Sequence, residues 1–251
     1  MPRVRGKLAE ADLVAHIEAT IPDFHAARLA SLEKLKLRDL LRSKNPYLFR
    51  AKNVLVASEL VQGFMAAHLS SQEEGIFGTF LEKLAVYVAM KLWAGQKSPA
   101  EGIDLDVTIR GQRYLITVKS GPNWGNRDQV ARMRFNFKRA RQVLRTNAKA
   151  RPIICINGCC YGRVANEDKG DYVKLAGQAF WEFLSGDTDL YRRIIVPIGH
   201  KAKERNEEFA GEYAKVLNRF TEQFIGDFCN ADGSIDWDKL LTFNSGRKQK
   251  P

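Results

Sequence analysis

Apolar residues recur at helical spacing in the first third of the chain and alternate in its middle. Leu13, Ile17 and Ile21 fall four residues apart, Pro22 interrupts, and Leu29, Leu32, Leu35, Leu37, Leu40 and Leu41 follow, so residues 8–44 read as helical. Asn45-Pro46 marks a break. Ser70 with Glu73 is a capping-box pattern that predicts a helix from about Ser71 to Trp93. Along it Phe77, Leu81, Leu84, Val88 and Leu92 make a bulky stripe. Gly75, Gly78, Glu82, Ala85 and Ala89 make a second one, small except at Glu82.

The alternating stretch follows at residues 101–127. Asp104 to Ile109 predicts one half-buried strand, Arg110-Gly111-Gln112 a turn, and Arg113 to Lys119 a second strand. Tyr114, Ile116 and Val118 share one face of that hairpin; Thr117 and Lys119 share the other, and Asp104 and Asp106 lie on one face of the first strand. Gly121 to Asn126 reads as a polar loop with a single Trp, and residues 129–146 as a helix whose apolar stripe is Met133, Phe137, Ala140 and Leu144. Pro152 to Ile156 predicts a buried strand ended by Asn157-Gly158. Residues 178–184 predict a helix, 194–198 a strand, 204–228 a long amphipathic helix, and 232–234 a turn.

Composition narrows the class. With 251 residues and 45% hydrophobic content the chain can bury a full core. Its longest apolar run, Leu84 to Met90, is too short to span a bilayer, so no membrane partner is expected. The N-terminal segment lacks a signal-peptide pattern, and the expected location is cytoplasmic. Cys155, Cys159, Cys160 and Cys229 have no zinc-site spacing and are expected to be reduced and buried.

Charge is the more telling quantity. The net charge is +11, and from Arg127 to Arg151 nine Lys and Arg face Asp128 alone. In the helix, Arg134, Lys138, Arg141 and Arg145 fall on one stripe, where cations repel unless something anionic lies along them. A polyanion such as DNA satisfies that requirement; a merely solvated face is the alternative reading, as it is for Lys34, Lys36, Arg38, Arg42 and Lys44.

The hairpin supplies candidate chemistry. It can place an aspartate, Asp104 or Asp106, beside Lys119, as a metal-dependent phosphodiesterase places a carboxylate and an ammonium near one phosphate. Glu82, among small residues, is positioned to join them; its alternative is an ordinary ion pair with a nearby Lys or Arg. Glu74, in the predicted first turn, is explained by the helix dipole.

The order helix, hairpin, basic helix, buried strand, with Glu82, Asp104 and Lys119 so placed, resembles the PD-(D/E)XK nuclease core. Nearly the whole chain is similar to PmeII-type type II restriction endonucleases, on the strings KNPYLFRAKN (44–53), EEGIFGTFLEKLA (73–85), VKSGPNWGN (118–126), NGCCYG (157–162), FWEFLSG (180–186) and GHKAKERNEEF (199–209). The resemblance implies an α/β fold: a restriction-endonuclease-like core, a central mixed sheet flanked by helices, with additional N- and C-terminal helices. Residues 1–70 are expected to form a helical DNA-binding or dimerisation segment, 71–200 the nuclease core, and 201–251 a C-terminal helical segment packed on it. It further implies a homodimer that cuts a short, largely two-fold symmetric site in double-stranded DNA with Mg²⁺, using no organic cofactor and leaving 5′-phosphate ends.

On that resemblance Asp104, Glu82 and the Val118 carbonyl hold the metal, and Lys119 orients or activates the attacking water. Where the general pattern has an acid, two residues before the lysine, this chain has Thr117; Glu82 is the expected substitute and Asp106 the runner-up. Lys44, Asn45, Asn123, Trp124, Asn126, Arg127, Arg134, Lys138, Arg141 and Arg145 are the expected DNA contacts, with a turn role the alternative for both loop asparagines. A structure-selective or repair nuclease on the same core, or an inactive DNA-binding relative, would share most of these features.

Overall fold

A computed structural model describes residues 7–144, 152–165 and 167–247. The elements in chain order are α1 (Glu10–Glu33), α2 (Leu37–Ser43), α3 (Pro46–Ala51), α4 (Ala57–Trp93), β1 (Gln96–Lys97), β2 (Leu105–Ile109), β3 (Gln112–Lys119), α5 (Arg127–Leu144), β4 (Ile154–Cys159), β5 (Val173–Ala176), α6 (Gln178–Ser185), α7 (Leu190–Arg193), α8 (Ile195–Ile198), α9 (Ala202–Phe228) and α10 (Trp237–Ser245). The chain divides into two compact units, residues 1–22 with 77–200 and residues 23–76 with 201–251.

The first unit holds a five-stranded mixed sheet in the order β1-β2-β3-β4-β5. The first two pairings are antiparallel and the last two parallel. Arg110 (φ 49°) and Gly111 (φ 80°) both adopt the left-handed region, so the β2–β3 hairpin closes on a two-residue turn whose twist suits the strands. One face of the sheet is covered by α5, where Leu115 and Cys155 pack with Met133, Phe137 and Ala140. On the other face the Cα of Gly95, just past α4, lies so close to Val107 and Ala89 that an added Cβ would sit 3.0 Å from the valine. The mixed sheet flanked by helices is the α/β architecture the sequence predicts.

The second unit is helical. Leu32, Leu40, Leu41, Leu60, Phe64, Phe220 and Phe224 form the middle of its core. Among the described residues no helix is long and apolar enough to cross a membrane.

Several local expectations are corrected. α1 runs unbroken through Pro22, and the proline instead marks the point where the two units divide. α4 begins at Ala57, so Ser70 lies inside the helix and caps nothing; Glu73 pairs with Arg28, whose guanidinium lies 3.6 Å from the centroid of the Phe209 ring. Glu74 is likewise well inside that helix and exposed, so no helix N-terminus accounts for it. Residues 194–198 are helical turns, not a strand: Pro197 has no N–H for a ladder, and β5 takes the sheet edge instead. Asn157-Gly158 does not end β4 but lies within it, because a glycine there lets the Phe180 ring press where a Cβ would be 2.1 Å from it. The three cysteines of β4 and its end are buried and free, and Cys229 is half-buried and free. Burial pushes the Cys155 and Cys159 thiols up to about 11, which leaves them un-ionised and inert at neutral pH.

Candidate active site

Asp104 stands at the entry to β2, one residue before the ladder begins. Its backbone N–H donates to the Ile116 carbonyl at 3.0 Å, and its Oδ2 accepts the Val118 N–H at 2.7 Å. The carboxylate thus fills the place a main-chain carbonyl would take in a longer strand. Extending the register of Leu105 with Ile116 by one step sets Asp104 opposite Thr117, on the face that carries Lys119. The hairpin therefore brings these two residues together as predicted, with the Val118 main chain beside them.

Glu82 comes from α4. Gly78, one turn earlier, lies against Ser120, so close that an added Cβ would be 2.7 Å from its hydroxyl oxygen. The stripe of small residues thus lets the helix approach the end of β3. Burial raises the Glu82 carboxyl above its usual range, and the charge of Asp104 raises it further. Burial also raises Asp104, against the Val118 N–H and the ammoniums of Lys119 and Lys97, which favour the charged form. Glu82, Asp104 and Lys119 therefore share one electrostatic neighbourhood. Lys97 belongs to it too: its Nζ is 3.7 Å from Glu82 Oε1. A two-residue strand leaves no periodic trace, which is why the sequence did not single Lys97 out; the ordinary ion pair weighed as the alternative for Glu82 is present alongside its approach to Asp104.

Whether this site suits a hard divalent ion follows from its donors. Two half-buried carboxylates that repel each other fit one, for such an ion takes oxygen ligands and keeps several waters. Among the described residues no group of three or more His, Cys, Asp or Glu could hold a metal, so main-chain oxygen, water and substrate would complete the shell. Asp106 is otherwise engaged. It is buried and takes a two-pronged contact from Arg113, at 2.9 and 2.6 Å.

Thr117 explains the missing acid. It is 1% exposed, its hydroxyl accepts from Asn157 Nδ2 at 3.1 Å, and Met133 Sδ closes the space at 3.5 Å. Thr117→Glu would force extra volume and a charge into that closed space. We expect it to cost about 3 kcal/mol or more of stability and to add no cleavage; a thermal melt and a plasmid digest check both, and a faster enzyme of undiminished stability would refute the account.

The expected DNA contacts divide. Asn126 caps α5 reciprocally with Gln129: its Oδ1 accepts the Gln129 N–H at 3.0 Å, and Gln129 Oε1 accepts the Asn126 N–H at 2.9 Å. Trp124 donates its indole N–H to Asn157 Oδ1 at 3.0 Å. Arg134 Nε donates to Asp171 at 2.8 Å and Arg141 to the Asp171 carbonyl at 3.3 Å, so part of the anion that the basic stripe requires is Asp171. Glu101 likewise pairs with Arg132 and Arg139 on the same helix. Arg127, Lys138 and Asn123 are exposed, and Arg145 lies outside the described residues. Lys44 and Asn45 belong to the second unit, where the Lys44 ammonium donates to the Ala67 carbonyl and Asn45 Oδ1 caps α3 at the Tyr47 N–H.

No individually curated protein matches the sequence. The sequence model of the type II restriction endonuclease EcoO109I family matches residues 11–206, a span that takes in both carboxylates, the lysine and the whole sheet. By that match over most of its length, with a mixed sheet of the kind this nuclease class uses, the chain belongs to the type II restriction endonuclease EcoO109I family.

Proposed function

We propose that the protein is a Mg²⁺-dependent, site-specific endonuclease of the PmeII type that hydrolyses both strands of DNA and leaves 5′-phosphate ends. The observation that carries this reading is the meeting of Glu82, Asp104 and Lys119 at the mouth of the β2–β3 hairpin. Bound there, a divalent ion would supply Lewis acidity toward the scissile phosphate. Asp104, Glu82 and the Val118 carbonyl would hold it. Asp104 is set in place by the Val118 N–H, so the site needs little rearrangement to receive its charge. Lys119 orients the attacking water and takes part in moving its proton while the bond to the 3′ oxygen breaks. The 3′ oxygen leaves and the phosphate stays on the 5′ side.

Arg127 and Lys138, exposed on α5, would meet DNA phosphates and position the duplex. We place the protein in the cytoplasm as a homodimer, because a two-fold symmetric site is cut on both strands by two identical centres. Residues 1–70 are assigned to DNA binding or dimerisation, 71–200 to the nuclease core, and 201–251 to a supporting helical segment. Digestion of plasmid and phage DNA with Mg²⁺ tests the reading. Discrete, reproducible fragments with ligatable 5′-phosphate ends, abolished by chelator, are expected; smears, junction-only cuts or intact DNA at every metal concentration would replace it with one of the alternative classes.

A further inference from the structure

We infer that Asn157 is a positioning residue for Lys119 and acts through Trp124; the inference rests on the catalytic role proposed for that lysine. Asn157 sits in β4, between two parallel neighbours, and is 1% exposed. An apolar side chain would fill such a position without needing partners, whereas a buried amide is tolerated when its groups are bonded. Both ends of this one are. Its Nδ2 donates to Thr117 Oγ1 at 3.1 Å and its Oδ1 accepts the Trp124 indole N–H at 3.0 Å.

Trp124 lies in the loop between β3 and α5, outside any helix or strand, so the bond to Asn157 fixes the edge of its indole. With that edge fixed, the ring lies 5.3 Å from Lys119 Nζ, within the range at which an ammonium is drawn to an aromatic face. The far side of the loop is tied as well, by Lys174, whose ammonium donates to the Pro122 carbonyl at 2.7 Å. Among the described residues no ion pair engages Lys119 itself. The ring is therefore a direct contact that helps set where its ammonium rests, while the Asp104 and Glu82 carboxylates attract it through space. Where the general pattern has an acid before this lysine, the Thr117 hydroxyl instead joins the amide that holds the tryptophan.

The test uses the full-length protein and a plasmid that the wild type cuts. Single-turnover cleavage with Mg²⁺ is compared with DNA affinity in Ca²⁺ for Trp124→Leu, Trp124→Phe, Asn157→Leu and the Asn157→Leu/Trp124→Leu pair, with Lys119→Ala as control. Measured at saturating protein, Trp124→Leu should slow cleavage about 3- to 30-fold whatever it does to DNA affinity, and Trp124→Phe, which keeps an aromatic face, should lie nearer the wild type. Asn157→Leu should slow cleavage comparably, and the double variant should be no slower than the worse single one, because both act through the same ring. Wild-type rates in Trp124→Leu, or effects that multiply in the double variant, would overturn the inference. A wild-type rate in Lys119→Ala would instead remove the role assigned to the lysine. Should Asn157→Leu fail to fold, the two Trp124 variants decide the question alone.

Discussion

Asp104→Asn should stop cleavage and, without metal, make the protein more stable. The loss follows from removing one of the two carboxylates available to a divalent ion, an effect of several kcal/mol and so of about 10³-fold in rate. The gain follows from the electrostatics. Asp104 and Glu82 both have carboxyls raised in the folded protein, so the unfolded chain ionises first as pH rises. Below their unfolded values, about 4, neither group affects stability. Above the raised folded values the native state carries the full penalty. At pH 7 without metal, Asn in place of Asp104 removes that penalty and still offers an oxygen to the Val118 N–H. The variant should melt higher at pH 7, by about 2–4 °C for each kcal/mol relieved, and the difference should vanish below about pH 4. Mg²⁺ should raise the wild-type melting temperature and leave the variant unmoved. A variant that melts lower than wild type at pH 7, or still responds to Mg²⁺, would show that the two carboxylates do not form one cation site.

Lys119→Ala should lower single-turnover cleavage by about 10²- to 10⁴-fold, the range for losing a positioned proton-transfer group. DNA binding in Ca²⁺ should change little, since one ammonium among many exposed cations adds modestly to phosphate attraction. Lys119→Arg separates the two parts of the role. Arginine keeps the charge but does not give up a proton, so recovery by Arg would assign orientation to the lysine and continued inactivity would assign proton movement. Binding that collapsed along with cleavage would make Lys119 a DNA contact instead.

The hairpin was legible because its information is local. Alternation from Leu105 to Ile109 and again to Lys119, around Arg110-Gly111, fixes pairing and face within fifteen residues. Glu82 was legible for a related reason: Gly78 and Ala85 announce a helix that must approach another element closely. What failed was set by distant partners. Ser70 and Glu73 spell a capping box, yet Glu73 answers to Arg28, 45 residues away. β5 is four residues long, too short for a period, and is defined by its pairing with β4. The basic stripe on α5 looked unneutralised because Asp171 lies 30 residues beyond Arg141. Asn157 looked like a strand breaker because nothing nearby shows that Trp124 and Thr117 would receive its amide.

The seat of Asp104 ties chemistry to folding. Its carboxylate is a rung between β2 and β3, so the candidate metal ligand is present only when those strands have met in the right frame. A slip of one residue would turn Lys119 to the opposite face and strip Asp104 of the Val118 N–H in the same motion. A chain whose strands are unpaired or out of frame therefore has no seat for the cation proposed there.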